Sequence, residues 1–261
     1  MTKPSLEDLG LDLLTTSVAE RARCLLLPFL TVIGFFWAGE RGHWWAALLL
    51  AVIQSFFTYA SVSHDLVHRT LRLPAWLNES LLCLIEASNF RSGHAFRVTH
   101  YHHHQRFPAA DDLEGAASGM PWWRALMEGV IAQPKLWVWA WKNSRGTMRL
   151  WLALEAVMVS AFLAWCLTSS VGRIYAAVII AGSWIFPFMT GYMPHHAQGE
   201  TPLQQTRLFR GKVLSLLTFE HLYHLEHHLY PQVPHQRWPE LARRLDPYFS
   251  SQGIQPTVLW R

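Results

Sequence analysis

Charge is scarce in this sequence. Asp, Glu, Lys and Arg together make up 15% of it, where an average soluble domain carries about 25%. Cysteine is scarcer. Cys24, Cys83 and Cys166 lie far apart, form no C-x-x-C, and sit in apolar surroundings. That excludes a disulfide framework and a zinc ribbon, and leaves small buried hydrophobes. The first twenty residues, MTKPSLEDLGLDLLTTSVAE, are acidic and lack the basic-then-apolar order of a cleavable signal peptide. With no Gly/Ser linker, repeat or low-complexity tract, residues 1–261 read as one domain. The motifs G-x-S-x-G, H-E-x-x-H and the P-loop are missing, which excludes the common nucleophilic, zinc-protease and nucleotide chemistries. There is no dense Lys/Arg cluster either, so a pI near 9.1 needs a source other than a nucleic-acid partner.

What is abundant is apolar surface. Hydrophobic residues make up 51% of the chain and Trp occurs 14 times, with a mean hydropathy of +0.11. Trp favours membrane–water interfaces. Four segments are long and apolar: 24–39 (CLLLPFLTVIGFFWAG), 44–63, 150–167 and 174–193. A bilayer-crossing helix needs about 20 such residues. Short joints, ERGH at 40–43 and TSSVGR at 168–173, pair the segments into two hairpins. The polar regions 64–149 and 194–261 then share one side with the N-terminus. The hairpin tips hold only Arg41 and Arg173, and the other 20 of 22 Lys and Arg lie on that shared side. By the positive-inside rule, both termini and both polar regions are cytoplasmic, and topology explains the basic pI.

Two Trp-bearing stretches, 73–90 and 120–141, are broken by charges or Pro and are expected as interfacial or re-entrant helices. Residues 237–249 predict an amphipathic surface helix. The expected fold class is therefore an all-α integral membrane protein: four transmembrane helices in two hairpins, interfacial helices, and a cytoplasmic helical cap.

Fifteen histidines are the second excess. His64 and His68 form HDLVH as the second segment ends. His100, His103 and His104 form HYHHH, and His224, His227 and His228 form HLEHH, with the same H-x-x-H-H spacing 124 residues later. Positions i, i+3 and i+4 share one helix face, so each triplet is expected to aim three imidazoles at one point. All three groups fall on the same expected side of the membrane. Eight ligands exceed one tetrahedral zinc and suit two metal ions. Imidazole alone does not choose among Fe, Zn, Cu and Ni. His195 and His196 follow the fourth segment in MPHH. His221 precedes His224 by three and can face the site. His102 is off-face, His94 and His235 read as ordinary polar residues, and His43 lies on the opposite side.

The three boxes, HDLVH, HYHHH and HLEHH, resemble the histidine boxes of the membrane fatty acid desaturase superfamily, which includes acyl-lipid and acyl-CoA desaturases and the carotenoid hydroxylases and ketolases. The likeness runs from about residue 44 to 240 and includes HHLYPQVP after the third box. It implies a non-haem di-iron centre held almost entirely by histidines, with O2 as co-substrate. It also implies an additional ligand after the fourth span. His195 in YMPHH matches that place, and His196 is the alternative. YMPHH and ADDLEG (110–115) resemble the carotenoid branch, while HDLVHRTL matches no single branch cleanly. No stretch of residues 1–261 reads as a cytochrome b5-type domain, so none is expected within them.

Inert C–H bonds need such a centre, since no side-chain acid, base or nucleophile attacks them. Ligating imidazoles need acceptors to hold their tautomers. Asp65, Asp111, Asp112 and Glu226 lie beside the boxes, and His221 and His196 are further candidates for supporting contacts. Glu155, inside the third segment, is a functional candidate by its costly position alone. The expected substrate is long and apolar, a fatty acyl chain first and a carotenoid ring second. The electrons would come from an external ferredoxin or reductase docking on the basic face. A histidine-rich metal transporter is the remote rival, and it would place ligands along a path within the spans.

Overall fold

A computed structural model describes residues 2–211 and 221–258, without the side chains of 59 and 60. A short helix α1 (Leu6–Leu9) and a 3-10 turn (Leu11–Leu14) precede α2 (Val18–Glu40). Helix α2 starts six residues before the expected apolar boundary. Ser17 accepts from the Glu20 backbone N–H at 3.1 Å, and the Glu20 carboxylate accepts from the Ser17 N–H at 2.7 Å. This capping box starts the helix within polar sequence, where hydropathy gives no signal. Helix α3 (Trp44–Phe57) continues through a π-helical turn (Thr58–Ser63) into α4 (His64–His68). The whole run, Trp44–His68, has 25 residues. At 1.5 Å each that is roughly 38 Å, longer than a bilayer core of about 30 Å. The run is therefore longer than the hydrocarbon it would cross, and HDLVH lies at one of its ends.

Helix α5 (Ala75–Ala87), α6 (Gly93–Arg106) and α7 (Trp122–Asn143) follow. Next come α8 (Thr147–Leu167) and α9 (Ser170–Ser183), the latter extended by a second π-helical turn, Pro187–Tyr192. Four stretches are long and apolar enough to cross a membrane: Leu11–Glu40, Trp44–His68, Thr147–Leu167 and Ser170–Tyr192. Helices α2, α3 and α9 pack through Ala38, Ala47, Ala51 and Ala176 around Phe35 and Tyr175. Small residues allow the close approach that replaces a hydrophobic driving force in lipid. The outer faces keep Leu26, Leu30 and Ile33 of α2, and Leu150, Leu154 and Val157 of α8, exposed.

Helix α7 is continuous through Pro134 and exposes Trp122, Trp123, Met127, Val130 and Ile131. Its inner face lies against the chain at Trp184. A Cβ at Gly129 would stand 1.6 Å from the Trp184 carbonyl oxygen, so only glycine fits there.

Short α10 (Pro202–Gln205) and β1 (Phe209–Arg210) lead towards α11 (His224–Leu229) and α12 (Trp238–Ser251). Helix α12 is amphipathic as expected. It buries Trp238, Leu241, Leu245 and Phe249 against Leu9, Leu13, Leu225 and Tyr230. Among the described residues, β1 pairs in parallel with β2 (Thr257–Val258), a small departure from an all-helical fold.

A buried ion pair fixes the turn before the first histidine box. Arg91 bonds Glu86 twice, at 2.7 and 3.0 Å. Ser63 donates to Glu86 at 2.5 Å and Arg91 donates to Thr58 at 3.0 Å. Glu86→Ala leaves Arg91 charged and buried. It is expected to cost about 3–5 kcal/mol, measured as a lowered unfolding midpoint of the detergent-solubilised protein. A loss below about 1 kcal/mol would contradict the pairing.

Candidate metal centre

The second and third histidine boxes sit on helices, but neither triplet converges on one point. Successive residues turn by about 100°, so i and i+4 differ by only about 40° while i+3 and i+4 differ by about 100°. The i+3 histidine therefore faces elsewhere. In α6, His100 and His104 turn to one centre and His103 to another. In α11, His224 and His228 join His103, and His227 crosses to His100. The expectation of three imidazoles at one point is corrected: each triplet is split two and one.

The first cluster joins His64, His68, His100 and His227. His104 belongs to it as well, with its Nε2 3.0 Å from His100 Nε2 and 2.8 Å from His227 Nε2. His64 Nε2 lies 3.0 Å from His227 Nε2 and 3.1 Å from His100 Nε2. The His68 Nε2 is buried without a hydrogen-bond partner, and its ring stands 4.7–5.1 Å from those of His64, His100, His104 and His227. The second cluster joins His103, His195, His224 and His228. Its Nε2 atoms are 3.0–3.3 Å apart. Two imidazoles bound at right angles to one ion at ~2.1 Å place their nitrogens about 3 Å apart, so both clusters have the spacing of ligands around an ion.

Tautomers strengthen the fit. His195 Nδ1 is 3.0 Å from the Gly191 carbonyl oxygen, which only accepts, so Nδ1 carries the proton. His103 Nδ1 donates to Asp112 Oδ2 at 2.7 Å. Asp112 Oδ1 in turn accepts the backbone N–H groups of Glu114 and Gly115, each at 3.1 Å. A neutral imidazole with Nδ1–H has a bare lone pair at Nε2. The His103–His195 contact at 3.0 Å is then lone pair on lone pair, and a cation between them removes the repulsion. Burial, reinforced by neighbouring imidazoles, holds His100, His104, His195, His227 and His228 well below the ordinary histidine range. The same causes bring His224 down to about 3. These imidazoles are neutral and ready to ligate.

The supporting residues are partly those expected. Asp112 holds His103. Glu114, two residues on in ADDLEG, accepts from His100 Nδ1 at 2.7 Å, a carboxylate that adjacency to a box does not single out. Burial, then the adjacent Asp112 carboxylate, push the Glu114 carboxyl well up, and a cation on His100 would offset that. Gly191 lets this turn approach, since a Cβ there would stand 2.9 Å from the Glu114 carbonyl oxygen. Trp238 covers His64 and His227 at 5.3 and 5.2 Å, and Phe107 covers His195 at 4.5 Å.

Other candidates lie elsewhere. Among the described residues, Asp65 is hydrogen-bonded to no box histidine. It accepts from His235 Nδ1 at 2.6 Å and from Thr70 at 2.8 Å, so His235 is a buried structural partner. Cys24 lies near this pair. Asp111 is half exposed and meets His102 and Arg106. Glu226 is buried against Arg210 at 2.7 Å, tying α11 to β1. His196 is exposed, with its backbone N–H bonded to Gln205. His221 borders the small cavity beside His64, His100 and His224, and burial brings it down to about 3.

Glu155 supports the second box from a distance. It accepts the His94 Nδ1–H at 2.7 Å, the His94 backbone N–H at 3.2 Å and the Ser92 hydroxyl. His94 also bonds Glu79 at 2.9 Å. His94 is thus no ordinary polar residue: it and Glu155 anchor the first turn of α6.

Comparison with curated proteins returns no match. The family described as Fatty acid desaturase matches residues 42–260.

Proposed function

The chain belongs to the fatty acid desaturase family, and from that premise we propose that this integral membrane oxidoreductase uses two non-haem irons and O2 to desaturate or hydroxylate unactivated C–H bonds of a fatty acyl chain. The observation that carries this reading is the paired set of converging imidazole nitrogens, five around one point and four around another, with Nδ1 of His100, His103 and His195 each on an acceptor. His64, His68, His100, His104 and His227 hold one iron. His103, His195, His224 and His228 hold the other. All-nitrogen donors suit iron, and when bound it supplies the O2 chemistry that no side chain offers. Asp112 and Glu114 fix the tautomers of His103 and His100, the Gly191 carbonyl fixes that of His195, and Trp238 and Phe107 exclude water. His221 borders the site without ligating.

The single domain has its four spans in two hairpins. Both termini and the histidine centre are cytoplasmic, on the side that holds most Lys and Arg. That basic side receives an external ferredoxin- or reductase-type electron donor. The second reading, a carotenoid ring hydroxylase or ketolase, is favoured by ADDLEG and YMPHH, which supply Asp112, Glu114 and His195. Metal transport fits less well, since the histidines close into two clusters instead of lining a path.

Expression in a β-carotene-producing host, with mass spectrometry of total lipids, tests the reading. Unsaturated or hydroxylated acyl chains are expected, and they should vanish with His103→Ala. Oxygenated carotenoids without any acyl change would replace the first reading by the second.

A further inference from the structure

The third histidine box rides on a very short helix. Helix α11 has six residues, against fourteen in α6, and HDLVH ends a run of 25. A helix of six residues does not hold its place by its own hydrogen bonds. Its histidines nevertheless serve both centres, His227 in one and His224 with His228 in the other. At about 100° per residue, His227 and His228 lie within about 60° of His224 on one face, while Leu225 and Leu229 lie about 100–140° round on another. That second face rests on the start of the chain. Leu225 shares a buried cluster with Leu9 and Leu13, and Leu229 packs against it. Lys3 Nζ donates to the Leu229 carbonyl at 2.9 Å and stands 4.6 Å over the Tyr230 ring. The Tyr230 hydroxyl donates to the Pro4 carbonyl at 2.7 Å. Arg244 of α12 donates to the two Asp12 oxygens at 2.8 and 2.7 Å, and Arg237 donates to the Thr15 carbonyl at 3.0 Å. All of these N-terminal residues precede the family match, which starts at residue 42.

We propose that residues 3–15 form a strap that seats α11, with Lys3 and Tyr230 as positioning residues for both metal positions at once. An ammonium at a helix C-terminus satisfies an end carbonyl and meets the negative end of the dipole. Lys3 therefore fixes α11 along its axis, while Leu9 and Leu13 fix its rotation. A slide or turn of α11 withdraws His227 from one cluster and His224 with His228 from the other, so loosening the strap is felt at both. Chain termini are poorly ordered unless tied down, and here the tie ends on a ligand-bearing helix. The inference rests on the two-metal reading of the histidine clusters. The seating of α11 itself can be measured without metal.

The test mixes full-length, iron-loaded protein in detergent with excess ferrous chelator and follows iron release. Lys3→Ala/Tyr230→Phe removes both hydrogen bonds and leaves the Tyr230 ring in place. Release is expected to quicken about fivefold or more, the scale of one lost hydrogen bond, and by the same factor at both positions. Lys3→Arg keeps the cation and the donor and should release iron at the wild-type rate. Arg243→Ala, at an exposed side chain of α12 that pairs with Glu240, should do the same. Hydrogen exchange of the metal-free protein reads the seating of α11 directly. The His227 and Tyr230 amides, bonded to the Tyr223 and Glu226 carbonyls, should exchange about fivefold faster in the double variant. Lys3→Ala alone, at an exposed side chain, gives a smaller change of the same kind if the double variant does not fold. In a protein holding two irons, unchanged release, or release quickened at one position only, overturns the proposal, and so does unchanged exchange. A wild-type protein that holds a single iron, with the α11 amides still loosened in the variant, would uphold the strap and sink the two-metal reading.

Discussion

His103→Ala is expected to empty one metal position and leave the other filled, so that iron falls from about two to about one per chain and lipid oxidation falls to background. The pairing of variants makes this sharp. His103 and His224 come from different boxes yet meet at one centre, through His195 and His228. His103 and His104 are neighbours in sequence, yet His104 meets His100 and His227 across the other centre. The double variant His103→Ala/His224→Ala should therefore keep one iron, like the single variant. His103→Ala/His227→Ala should lose both. Metal analysis of the purified proteins separates these outcomes. If loss followed box membership instead, with changes confined to HYHHH emptying only one position, the crossed arrangement would be wrong.

Asp112→Ala should weaken iron at the His103 position by about 10- to 100-fold, the usual cost of removing an acceptor behind a ligating histidine. Without the carboxylate, His103 is free to swap tautomers and turn its protonated nitrogen inward. The same substitution removes the acceptor for two backbone N–H groups in the turn that carries Glu114. Asp111→Ala is the control. That side chain is half exposed and, among the described residues, pairs with His102 and Arg106, so iron retention should be unchanged. Chelator titration with iron readout measures both. Equal losses, or none from Asp112→Ala, would remove Asp112 from the centre.

The sequence displays the apolar spans openly, because lipid demands long uninterrupted runs. The structure has four candidate spans in those places, with ends displaced where capping at Ser17 or a π-helical turn at Pro187 decides the boundary. The histidine spacing displays a metal-binding pattern, but not the partition between two ions. That partition depends on the 100° between i+3 and i+4, seen only when two helices face each other.

Adjacency to a box is a poor guide to supporting carboxylates for the same reason. Asp65 and Glu226 follow or precede a box histidine by one residue, and one step along a helix turns a side chain away from its neighbour. They pair with His235 and Arg210 instead. The useful acceptors come from a turn that folds back on α6, where alternation sends Asp112 and Glu114 inward and Asp111 outward. The pairing of Glu155 with His94 spans 61 residues, and no local pattern foretells it.

The most direct measurement is the metal content of the purified wild-type protein, joined to Mössbauer spectroscopy of iron-57-grown material. About two high-spin irons per chain in nitrogen-rich environments are expected. A protein that holds a single metal ion, or only zinc when iron is supplied, would contradict the di-iron centre and the lipid oxidation built on it.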